Sequence, residues 1–156
     1  MAIRIVEYDE RWREDFAQLN IEWLEQWFSV EPIDLEVLGD PETHILRDGG
    51  NVLFAIDEND VAIGCVALRH HGDGTYELTK MSVAPNLRGA GIGRLLMQAA
   101  LAAFQANSGR MLYLESNQKL EPALALYESA GFVHRDRPDG PSKYTRSNVY
   151  MVWEQS

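Results

Sequence analysis

Cysteine is nearly absent: the 156-residue chain has one, Cys65. That excludes an internal disulfide framework and suits a reducing cytoplasm. No apolar run approaches the roughly 20 residues of a membrane-spanning helix. The opening Met1-Ala2-Ile3-Arg4 carries no apolar signal region, so no membrane partner is expected. Basic residues are scarce too. Fourteen Lys and Arg against 24 Asp and Glu leave a formal net charge of −10. Nucleic acid is therefore not an expected partner, because neutralising phosphates needs a basic face. Repeats, low-complexity tracts and linkers are also lacking, so residues 1–156 read as one domain. A chain of this size can bury roughly 70% of its unfolded surface.

What is present is an alternation of short strands and amphipathic helices. Residues 3–8 read as a strand, and Asp9 as the N-cap of a helix with the stripe Trp12, Phe16, Leu19, Trp23 and Trp27. Core packing is the expected role of those aromatics. Pro32 is expected to end or bend that helix, and residues 34–38 to form a short second one. Residues 51–56 and 61–69 form a hairpin, the second strand being almost continuously apolar, as a strand covered on both faces is. Cys65, in its middle, reads as a buried structural thiol.

Residues 75–83 carry a phase fault. Tyr76 and Leu78 are apolar at even positions, Met81 and Val83 at odd ones. One extra residue near Thr79-Lys80, a β-bulge, would put both pairs on one face; a strand buried on both faces, where phase carries no meaning, is the alternative. Beyond it, Ala84-Pro85-Asn86 turns into Arg88-Gly89-Ala90-Gly91-Ile92-Gly93-Arg94 and then a helix with Gly109 as its expected C′ residue. Residues 111–115 follow as a strand parallel to 75–83, then a helix from Pro122 to Ala130 closed by Gly131. Strands at 132–135 and 148–154 flank a polar loop, 136–147.

The order strand, glycine loop, helix gathers free backbone N–H groups at a helix N-terminus, and glycine leaves no side chain to keep an anion away. The direct reading is a diphosphate site. A P-loop would need Lys-Ser/Thr after its last glycine, but Arg94-Leu95 stand there. A dinucleotide fingerprint would space its glycines G-x-G-x-x-G, whereas Gly89, Gly91 and Gly93 alternate.

The stretch Arg88-Gly89-Ala90-Gly91-Ile92-Gly93, with Val83-Ala84-Pro85 before it and Asn117 and Tyr127-Glu128-Ser129-Ala130-Gly131-Phe132 after it, resembles the acyl-coenzyme A loop and following motifs of the GNAT superfamily of N-acetyltransferases. The resemblance implies an α/β fold: a mixed, largely antiparallel sheet that splays after a bulged strand and is flanked by helices. It implies acetyl-CoA as co-substrate, held by Met81, Ser82, Val83, Arg88, Gly89, Ala90, Gly91, Ile92, Gly93, Arg94 and Asn117. It assigns the leaving thiolate's acid to Tyr127, and often places a base at Glu77, with solvent, His70, His71, Glu115 and His44 as open alternatives. No metal is expected. No residue is a convincing acyl carrier, so direct attack in a ternary complex is the expected route. The acceptor is a primary amine, on a small molecule or at a peptide N-terminus, and a homodimer stays open as an expectation. Two alternatives remain: an acyl-CoA-binding sensor without turnover, and an acyltransferase with a different acyl donor.

Overall fold

A computed structural model describes residues 2–138 and 140–154. Met1, Gln155 and Ser156 of the expected domain, and Asp139 of the expected 136–147 loop, lie outside them. The strands are β1 (Arg4–Glu7), β2 (Asn51–Ile56), β3 (Ala62–His70), β4 (Thr75–Val83), β5 (Met111–Ser116), β6 (Phe132–His134) and β7 (Val149–Trp153). They form one sheet in the order β1-β2-β3-β4-β5-β7-β6. Every neighbouring pair is antiparallel except β4 and β5. Helix α3 (Ile92–Ala106) makes the crossover which that parallel pair requires. The mixed, mostly antiparallel class expected from the sequence is the one observed.

β3 is buried from Ala62 to Leu68, as its continuous apolarity demands. Ile92, Leu96, Met97 and Ala100 of α3 cover one face of the sheet. The other face lies under Phe16 and Leu19 of α1 (Arg13–Trp27) and Val37 and Leu38 of α2 (Pro32–Gly39). Helix α4 (Glu121–Ala130) ends at Gly131, whose φ of +111° suits the residue expected there.

Two local expectations are corrected. Pro32 does not end α1, which stops at Trp27; it opens α2, where its missing N–H is one the helix start leaves unpaired anyway. At the end of α3 the left-handed residue is Ser108, φ +55°, and not Gly109. Gly109 is glycine for room, because a Cβ there would lie 2.2 Å from the Phe104 ring.

The phase fault in β4 is a bulge. Cys65 pairs with Ser82 but Ala67 pairs with Thr79, so Lys80 and Met81 together face Val66. Lys80 takes φ +56°. Tyr76, Leu78, Met81 and Val83 then all meet the α3-side core. Ser82 turns the other way and donates its Oγ–H to Leu19 O at 2.8 Å. Pairing of β4 with β5 ends at Glu77↔Tyr113, so the rest of β4 has no strand on that side. The sheet opens there.

Candidate active site

The glycine loop sits at the mouth of this opening. Gly89 and Gly91 have φ +86° and +85°, the left-handed region that side chains with a Cβ disfavour. A Cβ at either would meet no atom within 4 Å, so the protein itself leaves the space over them clear. Gly91 is the N-cap of α3 and offers no side chain to cap it. The amides of Ile92, Gly93 and Arg94 begin the helix without intrahelical partners, at its positive end. The amide of Ala90 is spent within the loop on Leu87 O at 3.3 Å. These features fit a diphosphate: amides to bind it, a helix start to attract it, and room for it.

From the loop a groove of about 280 Å³ runs along the freed side of β4. Met81, Ser82, Val83, Arg88, Gly89, Ile92 and Gly93 line it, joined by Lys119 and by Trp23 and Trp27 of α1. Ala90, Gly91 and Arg94 are exposed beside this lining, outside it. Arg88 donates to Gln26 Oε1 at 2.8 Å, and Lys119 Nζ to Trp27 O at 2.7 Å, so both cations are tied to the end of α1.

A second cavity, of about 100 Å³, lies on the other side of Tyr127 and takes in Glu77, Glu115, Ser116, Asn117 and Tyr144. Trp23, Met81, Leu120 and Tyr127 line both spaces and mark where they meet. Burial pushes the Tyr127 phenol up to about 12. Its ring packs edge-on against Phe132, and no described residue hydrogen-bonds its hydroxyl. Glu77 is buried and shares a 3.0 Å hydrogen bond with His71 Nε2, whose ring reaches solvent. Asn117 is occupied as a turn residue: Nδ2 donates to Arg146 O at 2.7 Å and Oδ1 accepts from Lys119 N at 2.9 Å.

Several residues here escaped the sequence reading. Trp23 and Trp27 were expected in the core, but both face the groove, and Trp27 is 41% exposed. The core half of their stripe is Trp12, Phe16 and Leu19. Lys80, Arg146 and Tyr144 line the second cavity above a buried carboxylate, Asp34. Lys80 Nζ donates to Asp34 Oδ1 at 2.9 Å, and Arg146 grips both Asp34 oxygens at 2.7 and 2.9 Å. Burial alone would raise the Asp34 carboxyl, but the Arg146 hydrogen bonds and the Lys80 charge outweigh it and hold the group at about 2. The available signal was a lysine in a strand otherwise destined for burial.

Residues 8–132 match the acetyltransferase (GNAT) family. An uncharacterized N-acetyltransferase of Schizosaccharomyces pombe is 31% identical over 123 residues, 76% of this chain and 75% of that one. A GNAT acetyltransferase from Staphylococcus aureus Mu50 has the same fold, with TM-score 0.88 at 23% identity over 97% of this chain and 98% of that one. The Salmonella typhimurium acetyltransferase yncA, solved with its cofactor acetyl-CoA, superposes with TM-score 0.74 at 18% identity over 97% and 92% of the two chains. With a bulged strand, a glycine loop opening α3 and a match across most of its length, this chain belongs to the GNAT family of acetyltransferases.

Proposed function

We propose that the chain acts, as a single cytoplasmic domain, to move an acetyl group from acetyl-CoA to a primary amine by direct attack in a ternary complex. The observation that carries this is the meeting of groove and cavity at Met81, Leu120 and Tyr127, beside an unpartnered phenol. The loop amides and the start of α3 hold the diphosphate, with Arg88 and Lys119 adding positive charge in an acidic protein. The freed edge of β4 holds the pantetheine arm, and Asn117 keeps the facing wall in shape through its bonds to Arg146 and Lys119.

The acceptor enters through the second cavity. Glu77 takes the proton from the attacking nitrogen as the new C–N bond forms. A backbone N–H around 81–83 donates to the thioester oxygen as it gains charge, and such a donor contributes roughly 100- to 1000-fold in rate. The C–S bond then breaks and Tyr127 gives its proton to the sulfur. The raised phenol is protonated throughout the neutral range, as an acid must be.

Calorimetry with coenzyme A, followed by acetyl-CoA and a panel of amines with thiol detection, tests this reading. The panel spans polyamines, amino acids, aminoglycosides and peptide N-termini. Heat on cofactor addition and thiol release with one amine class are expected. No heat with coenzyme A or its thioesters overturns the proposal, and binding without release across the panel identifies a sensor instead.

A further inference from the structure

We propose that Asp34, acting through Lys80, is a positioning residue that locks the β4 bulge in the conformation presenting the strand's backbone donors to the thioester. This rests on the acetyl-transfer reading above and adds a role for Asp34, which is buried beneath the cavity lining and need not touch either substrate.

The argument begins with φ. Among the described residues, four other than glycine have positive φ: Asp60, Asp73, Lys80 and Ser108. Three are short polar residues in turns, where a left-handed residue is common. Lys80 alone is long and lies within a strand. Left-handed backbone is disfavoured for a residue with a Cβ, so something must hold Lys80 there. Its ammonium is anchored by Asp34 at 2.9 Å and by the Tyr144 hydroxyl at 3.3 Å, and lies 4.8 Å from the centre of the Tyr144 ring. Its carbonyl accepts from the Cys65 thiol at 3.5 Å.

The Asp34 carboxylate is saturated from within the cluster. Asp34 Oδ1 accepts from Lys80 and Arg146, and Oδ2 from Arg146 and the Glu31 amide at 2.9 Å. Arg146 also donates to Glu31 Oε2 at 2.9 Å, and Glu31 Oε1 accepts from the Thr145 amide at 3.2 Å. Two cations meet two carboxylates, so their formal charges cancel. With its charges cancelled and Asp34 fully engaged, the set is better placed to fix geometry than to attract a charged ligand. It does clamp three segments that converge on the acceptor side: the start of α2, the bulge, and the chain leading into β7. A buried ion pair is poor evidence of added stability and better suited to fixing one geometry among several.

The test compares Lys80→Gly with Lys80→Ala. Both remove the ammonium and both leave Asp34 paired with Arg146, so thermal melts should show both folded. They differ in the ease of reaching positive φ, which glycine adopts freely and alanine does not. The readouts are the carbonyl stretch of bound carbonyl-labelled acetyl-CoA, followed by infrared spectroscopy, and kcat with KM for acetyl-CoA. The native protein should lower the carbonyl frequency relative to free acetyl-CoA. Lys80→Gly should keep most of that shift, whereas Lys80→Ala should lose it and turn over about 10-fold more slowly than Lys80→Gly at similar KM. Asp34→Asn should resemble Lys80→Ala. Equal behaviour of the glycine and alanine variants, on a native protein that shifts the carbonyl, overturns the role of the bulge alone. A native protein that binds no acetyl-CoA takes down the acetyl-transfer reading as well.

Discussion

Tyr127 pairs a reactive group with an environment that limits it. Burial holds its phenol up at about 12, so it keeps its proton well past pH 10. Tyr127→Phe should lower kcat by about 100-fold or more, the scale of general-acid catalysis, while calorimetry finds coenzyme A affinity nearly unchanged. An equal loss in both would make Tyr127 a wall residue. Cys65 is the opposite case. Burial pushes its thiol up to about 12, and Asn20 Nδ2 lies 3.3 Å from the sulfur. A thiol reagent added to the folded protein should therefore read no cysteine until denaturant is present, and absorbance with an aromatic disulfide checks this. Cys65 was legible as a buried thiol because the apolar run around it defines its setting, and Tyr127 and Glu77, named from the resemblance, are brought to one cavity by the fold. Asp34, Lys80 and Arg146 were not: partners 46 and 112 positions from Asp34 meet only through the fold.

At the scale of elements, periodicity carried the most information. Alternation broken at Thr79-Lys80 located the bulge, because a strand with one face on the α3 core cannot change phase without an extra residue. The same method failed on α1. Its stripe continues unbroken through Trp23 and Trp27, but the sheet beneath it opens before the helix ends, and a periodic pattern records only which face is apolar. The π-helical turn Glu42–Leu46 had no signal in the sequence reading. The glycine loop was legible through its spacing, and the function proposed for it rests on main chain. Gly91→Glu should abolish the calorimetric signal with coenzyme A, since it forces a Cβ into φ +85° and adds a carboxylate where phosphates are expected. Retained affinity would move the diphosphate elsewhere.

For the whole molecule, acid stability should carry the mark of the buried carboxylate. Asp34 titrates at about 2 in the folded chain against 3.8 as the reference value. Between those values the unfolded chain binds the extra proton, so stability falls as pH drops from about 4 to about 2, by about 2 kcal/mol from this group. Chemical denaturation across that window should show the decline in the native protein. Asp34→Asn should be less stable at pH 6 and decline less steeply. An identical slope in both would remove Asp34 from the acid response. No helix of the described residues is long and apolar enough to cross a membrane, and the α3 and α1–α2 sides of the sheet each carry their own core. Among the described residues, the two cavities share Trp23, Met81, Leu120 and Tyr127. An inhibitor made by joining an amine to the sulfur of coenzyme A through an acetyl-length spacer would occupy both chambers at once. Its two halves, each held weakly alone, would gain the avidity of tethering, which makes such conjugates a way to sort candidate amines by affinity before any turnover has been seen.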